Sequence, residues 1–330
     1  MNVLITGGAG FIGSHLAERC LAEGWRVSIL DDLSTGAFEN IAHLKNRPAF
    51  SYTIDSIFHE PVVAELVDGA GVIFHLAAAV GVKRVVDDPV GTIETNVHGT
   101  EVVLRCAAKK GIPVLFTSTS EVYGKNAHLP FREDGDLMFG PTNIGRWSYA
   151  CSKALDEFRA LAYWRQKSLP VTIVRLFNTV GPRQTGRYGM VLPTFVRQAL
   201  RGEPLTINGA GDQCRCFGYV GDTVEALVRI AQTPQAVGEI VNIGNDREVS
   251  INELAALVKE ITGSSSPLAY RSYDEAYGPG FEDMPRRVPC LNKLERLVHY
   301  RPATPLETIV RRVVDYEWVR MPRRALAAVV

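Results

Sequence analysis

Over the first half of the chain, short apolar runs bounded by turn residues alternate with stretches in which apolar positions recur every three or four residues. The runs at 3–6, 26–30, 50–54, 72–76, 114–117 and 171–177 predict strands, and most are apolar throughout, as strands buried on both faces are. The stretches near 11–23, 60–68, 89–110 and 149–167 predict amphipathic helices. Strand and helix in alternation build βαβ units, so an α/β fold with a parallel sheet covered by helices on both faces is expected.

Past Gly181 the texture changes. Pro, Gly and Arg become frequent, the strand candidates shrink (205–207, 240–242), and helical stretches near 192–201, 222–232, 251–261 and 305–319 are interleaved with them. This predicts a Rossmann-type lobe over 1–180, a smaller mixed C-terminal substrate lobe over 181–320, and a loosely held tail over 321–330. A chain of 330 residues is long for one simple core and suits two lobes sharing a cleft.

Charge narrows the classes of function. Lys plus Arg number 36 and Asp plus Glu 36, so no excess charge favours nucleic acid or an anionic membrane surface. The six cysteines form no CxxC pair, and Cys214 and Cys216 would share one face of a strand, which suits packing better than zinc. No metal is expected. Scattered thiols, an opening MNVLITGG that runs straight into a strand, and no apolar stretch of membrane length predict a cytoplasmic protein.

Residues 6–13 read TGGAGFIG, placing Gly7, Gly10 and Gly13 between the first strand and the first helix. Glycines there permit a tight turn, close approach of backbone to a pyrophosphate, and packing of helix on strand, while the helix N-terminus offers N–H groups to the phosphates. Asp31, 18 residues beyond Gly13 at the end of the second strand, is placed to accept hydrogen bonds from an adenosine ribose; Asp32 beside it is a second cofactor candidate, and one of the two is free to cap the following turn instead. A carboxylate there repels a 2′-phosphate, so NAD is expected over NADP. Asp55 is a candidate for the adenine edge. Phe11, Ile12, Leu76, Ala77, Ala78 and Asn96 are further candidate cofactor contacts.

Tyr149 and Lys153, in YACSK, lie four apart and so on one helix face. A nearby ammonium stabilises a phenolate whose ordinary pKa is about 10. That phenolate is then equipped to take a proton from a hydroxyl while hydride leaves for a nicotinamide.

The combination of TGGAGFIG, STSEVYG, YACSK and NTVGPR resembles the extended short-chain dehydrogenase/reductase family that modifies nucleotide sugars. The resemblance runs from Met1 to about Trp318. It implies NAD as cofactor, Tyr149 as base with Lys153 as its partner, and Thr119 as the hydroxyl that holds the reacting 4-oxygen. Asn178 and Arg183 match residues near the nucleotide and its phosphates, and Arg215 an arginine that clamps the diphosphate. Thr119, Ser120 and Glu121 spell the Thr-Ser-Glu of the UDP-glucuronate decarboxylases of this family, whereas the 4,6-dehydratases carry an acid at the position of Ser120. In those decarboxylases an arginine of a C-terminal motif binds the sugar carboxylate, and MPRRVP places it at Arg287. A bifunctional decarboxylase of that branch has a lysine and a tyrosine where this chain has Thr206 and Phe281.

The resemblance therefore implies an NAD-dependent UDP-glucuronate decarboxylase, with Glu121 orienting the ring or assisting at C5. The rival reading is a UDP-hexose or UDP-hexuronate 4-epimerase, against which stand Glu121 and Arg287. A non-catalytic NAD-binding sensor or scaffold would be expected to have lost Tyr149 or Lys153. The resemblance also implies a homodimer formed by the helices near 89–110 and 149–167, the latter with Ala154, Leu155, Phe158 and Leu161 as its apolar stripe. His75 reads as a satisfied strand-end histidine, and the loop from Gly186 to Gly189 as a sugar contact or a mobile lid.

Overall fold

The structure is a computed structural model that describes residues 1–186, 189–278 and 282–321, without the side chain of Val82. Arg187, Tyr188, Phe281 and the tail from Pro322 onward lie outside the described residues.

Six strands come from the first half of the chain: β1 (Asn2–Thr6), β2 (Arg26–Asp31), β3 (Phe50–Ile54), β4 (Val72–His75), β5 (Val114–Thr119) and β6 (Val171–Leu176). They form one parallel sheet in the order β6-β5-β4-β1-β2-β3, and Ile240–Ile243 adds a seventh strand beside β6. The expected lobe boundary at 180 is thus crossed by the sheet: a strand from the later half returns to complete it. Its buried run Val241, Asn242, Ile243 is too short to reveal this from sequence.

The helices are α1 (Phe11–Ala22), α2 (Glu60–Asp68), the short α3 (Val82–Asp87), α4 (Pro89–Lys110) and α5 (Trp147–Lys167), followed by others in the later half. Side chains alternate across β1. Val3 and Ile5 pack with Leu16 and Ala17 of α1 and Leu227 of the helix Val220–Ala231. Leu4 packs on the opposite face with Val63, Val103 and Ala160 from α2, α4 and α5. A separate core of Leu192, Phe195, Ile207, Leu254 and Ile309 holds the smaller lobe. A fourth cluster, Val122, Tyr123, Phe131, Trp147, Phe177 and Met284, joins the two lobes.

The strand order places β1 next to both β4 and β2, so the chain winds outward in two directions from that point. In such a sheet the crevice at the carboxyl ends of the strands is where a ligand binds. All the motifs singled out above lie at that end.

Candidate active site

A cleft of about 730 Å³ runs along the carboxyl edge of the sheet between the lobes. Its cofactor end is built by the glycine loop. Gly7 has φ +72°, and a Cβ there would sit 2.8 Å from the Ala77 nitrogen. A Cβ on Gly13 would meet the Gly7 carbonyl oxygen at 2.2 Å. Only glycine lets these three backbone segments approach so closely. Helix α1 begins after Gly10 without a side-chain cap, so the loop presents backbone rather than side chain to the cleft. Gly10, Phe11, Ile12, Leu76, Ala77 and Ala78 line this end.

The aspartates divide the work. Asp31 is buried; its Oδ2 accepts the N–H of Ala9 at 2.9 Å and its Oδ1 that of Leu33 at 2.8 Å, which braces the glycine loop. Burial pushes its carboxyl up, and the backbone donors of Leu33, Ala9 and Gly10 offset only part of that rise. Asp32 caps the following turn through the N–H of Ser34, and Asp55 accepts from Ser56 and His59; all three aspartates border the cleft. Asn96 is not among the cleft-lining residues. Its Oδ1 accepts the N–H of Ala79 at 2.9 Å and its Nδ2 donates to Ser152, so it ties the segment after β4 to α5.

His75 is buried at the end of β4 between the hydroxyls of Thr6 (2.7 Å) and Thr100 (3.1 Å). Burial pulls its pKa down to about 3, so it is a neutral structural residue.

At the reacting end, β5 runs two residues further than expected and stops at Thr119. The Thr119 hydroxyl accepts the N–H of Glu121, turning the chain into a short 3₁₀ segment, and it also hydrogen-bonds Tyr149. Tyr149 and Lys153 follow in the first two turns of α5, which begins at Trp147. Desolvation and the Glu121 charge push the Tyr149 phenol up, while Thr119 and Arg146 pull it down. Lys153 is buried, with Nζ 4.1 Å from the centre of the Phe116 ring; burial lowers its pKa to about 8 against the pull of Asp156 and Glu157.

Glu121 is buried in an arginine clamp. Its Oε2 lies 2.5 Å from Nη1 of Arg146, and its Oε1 pairs with Nη1 of Arg287. Burial pushes the carboxyl up, but Arg146 and Arg287 outweigh it and hold the pKa at about 2. Held between two guanidiniums, the carboxyl is ionised in this arrangement. What the structure gives Glu121 is a hold on Arg287. Asp283 completes the cluster, 3.4 Å from Arg287, 2.7 Å from Arg215 and 3.6 Å from Arg146.

The remaining candidates separate. Ser120, Asn178 and Arg215 border the cleft, and Asn178 also donates to the Cys216 carbonyl at 3.3 Å. Arg183 turns away to α1, meeting Glu18 at 2.5 Å and Ser14 at 3.3 Å, from a backbone with φ +71°. Thr206 faces Gln198, each bonding the other. Sequence reasoning missed Arg146, although a signal existed: it stands three residues before Tyr149, on the same helical face.

The seven-stranded parallel sheet, its glycine loop and the Tyr149–Lys153 pair define a dinucleotide-dependent enzyme of the extended short-chain dehydrogenase/reductase type. The profile of the NAD dependent epimerase/dehydratase family matches residues 3–244. The chain belongs to that family, and its cofactor is NAD. It is 43% identical over 319 residues to a UDP-N-acetyl-alpha-D-glucosaminuronate decarboxylase of Bacillus cytotoxicus, covering 96% of this chain and 97% of the relative. It is 35% identical to UDP-glucuronic acid decarboxylase 1 of Xenopus tropicalis, over 96% of this chain and 72% of that protein. Among solved structures, the UDP-glucuronic acid 4-epimerase of Bacillus cereus, in complex with UDP-glucuronic acid and NAD, superposes with a TM-score of 0.87. That pair is 27% identical over 97% of this chain and 100% of the other.

Proposed function

We propose that this protein is an NAD-dependent decarboxylase of a UDP-linked uronic acid, UDP-glucuronate or its 2-acetamido counterpart. The observation that carries the reading is the pairing of Glu121 with Arg287 one short turn beyond Thr119, the hydroxyl that meets Tyr149. A guanidinium so placed offers a planar fork to a carboxylate on the sugar whose 4-hydroxyl lies at Tyr149. The decarboxylases among its relatives support it.

Gly7, Gly10 and Gly13, the start of α1 and Asp31 would hold the cofactor, since the close-packed backbone around Gly7 and Gly13 leaves a cradle open to a pyrophosphate. Bound there, NAD would supply the hydride acceptor for C4. Tyr149 takes the proton of the 4-hydroxyl, with Thr119 holding that oxygen and Lys153 favouring the phenolate. Oxidation at C4 places a ketone β to the C6 carboxylate. The electrons of the C5–C6 bond move into that carbonyl as CO₂ leaves, and a proton then returns to C5. Arg287 holds the carboxylate, and Asn178 and Arg215 stand where the nucleotide diphosphate would run.

The test is incubation of the NAD-loaded protein with UDP-glucuronate and UDP-N-acetylglucosaminuronate, followed by mass spectrometry. Loss of one CO₂ is expected, with loss of two further hydrogens if the 4-ketone is released rather than reduced. An isomer of unchanged mass would mean the 4-epimerase reading, and no change with retained NAD binding would mean a sensor or scaffold.

A homodimer is part of the proposal. Val90 and Ile93 on α4 and Leu155 and Phe158 on α5 expose large apolar side chains on two helices packed against each other, whereas Ala154 faces the chain's own core. The division into a cofactor lobe and a substrate lobe is supported by the separate core of the smaller lobe. A cytoplasmic setting is supported by the six free thiols.

A further inference from the structure

We propose that Arg146 is a positioning residue for the sugar carboxylate: it holds Glu121 as a permanent counter-ion, so that Arg287 is released from Glu121 to bind the substrate. This inference rests on the decarboxylase reading and adds to it a residue and a partner exchange.

The argument begins with charge. Three arginines, Arg146, Arg215 and Arg287, share two carboxylates, Glu121 and Asp283, and all five side chains are at most 18% exposed. Among the described residues around this cluster, Lys125 pairs with Glu282 at the rim and Arg175 with Glu157 behind β5, Lys153 lies near Asp156 and Glu157, and Arg271 also borders the cleft. Without cofactor, burial pushes up the phenols of Tyr149 and Tyr273, which meet the cluster. By count the five side chains carry a net charge of +1, three guanidiniums against two carboxylates. Arg215 is the member that the diphosphate of any UDP-sugar would meet, so the sugars differ at Arg287: a uronate carboxylate can replace Glu121 as its partner, and a neutral hexose offers no anion to do so.

Geometry then says which arginine moves. Arg215 is fixed by Asp283 and by the carbonyls of Cys214 (2.8 Å) and Pro285 (3.2 Å). Arg146 stands at the foot of α5, its guanidinium 5.2 Å from the centre of the Trp147 ring, and Trp147 is itself tied to Glu282 at 2.8 Å. Arg287 has no comparable anchor of ring and backbone among its described contacts: it is held by Glu121 and by a long contact to Asp283. If Arg287 turned to a substrate with Arg146 missing, Glu121 would be left as a buried, unpaired carboxylate. With Arg146 in place, Glu121 keeps a partner throughout. Once CO₂ has left and C5 is protonated, the sugar carries no carboxylate and Arg287 returns to Glu121, which disfavours retention of the product.

The test measures Kd by calorimetry on NAD-loaded protein carrying Tyr149→Phe to stop turnover, with UDP-glucuronate and UDP-glucose as probes. In that background Arg146→Met is expected to weaken UDP-glucuronate about tenfold or more and UDP-glucose no more than about twofold, and Arg146→Lys to recover most of the loss. The decisive variant is Arg146→Met with Glu121→Gln. Because it removes both charges, it is expected to bind UDP-glucuronate within about threefold of Glu121→Gln alone, a strong coupling between the two sites. It also serves if Arg146→Met alone does not fold. Equal weakening of both sugars by Arg146→Met, or a double variant at least about tenfold weaker than Glu121→Gln, overturns the proposal. CO₂ release by the unmodified protein is assayed alongside. Its absence would sink the decarboxylase reading, while the binding pattern would still decide the role of Arg146.

Discussion

The carboxylate of Glu121, at the end of a central strand, is ion-paired with the guanidinium of Arg287, which arrives from a loop near the other end of the chain. Both side chains are 9% exposed, so the pair sits where water screens little. It couples the lobe that holds the cofactor to the segment that closes the substrate end of the cleft.

Glu121→Gln breaks that coupling and leaves Arg146, Arg215 and Arg287 sharing only Asp283. Removing one member of a buried ion cluster costs about 3–5 kcal/mol, so denaturant unfolding is expected to show a loss near the lower figure, because Asp283 remains. CO₂ release should fall about tenfold or more, since Arg287 then has no carboxylate to return to when the product leaves and its repulsion by Arg146 and Arg215 is less opposed. Turnover unchanged from wild type would remove the glutamate from the mechanism.

Lys153 works against stability. Its pKa falls from an ordinary 10.5 to about 8 because burial disfavours the ammonium. Between those values the unfolded chain holds a proton that the folded one has released, so stability rises with pH across that window, and below it the burial cost is felt in full, roughly 3 kcal/mol. Lys153→Met removes the cost but deprives Asp156 of its neighbouring cation. A net gain of about 1–2 kcal/mol at pH 7 is expected in thermal or denaturant unfolding, together with loss of CO₂ release. A variant that is both active and no more stable would contradict this account.

How much of this was legible in the sequence depends on how far each contact reaches. The glycine loop and the Tyr149–Lys153 pair depend on neighbours within one turn or one βα unit, so their spacing announces them. The elements of the first half follow for the same reason, each carrying its own apolar period. The strand Ile240–Ile243 does not, because nothing in a four-residue apolar run says that it returns to β6. Arg183 belongs to a motif that suggests phosphate, yet its partner Glu18 lies on α1, and no local pattern encodes that meeting. The Arg287–Asp283 pair lies within one loop and is readable from sequence, whereas the meeting of Arg146 and Arg215 with Asp283 joins residues far apart in the chain and appears only after folding.

His75 sets a second pH dependence, at the acid side. Its folded pKa is about 3 against an ordinary 6.5, so as pH falls through that window the unfolded chain takes up a proton that the buried ring refuses, and stability is lost. Asp156, raised to about 6 by burial, acts in the opposite sense and masks part of the slope. Comparing wild type with His75→Gln cancels that contribution. Relative to wild type, the variant should gain roughly 3 kcal/mol between pH 6.5 and pH 4 in urea unfolding. A difference that stays flat over that range would mean the histidine titrates normally in the fold.

The apolar face on α4 and α5 yields the last prediction. Phe158 is 69% exposed and Leu155 48%, and one α5 turn separates them from each other. On α4, Val90 is 64% and Ile93 42% exposed, and α4 packs beside α5. A second copy presenting the same face about a two-fold axis would cover them. Burying a phenylalanine at such an interface contributes about 2 kcal/mol per copy, and an ionised carboxylate in its place has no partner there. Phe158→Glu is therefore expected to convert the protein to monomer in sedimentation velocity at micromolar concentration, while far-UV circular dichroism stays unchanged because the side chain lies outside the core. A wild type that sediments as a monomer would refute the dimer. A Phe158→Glu variant that remains dimeric would place the interface on another face.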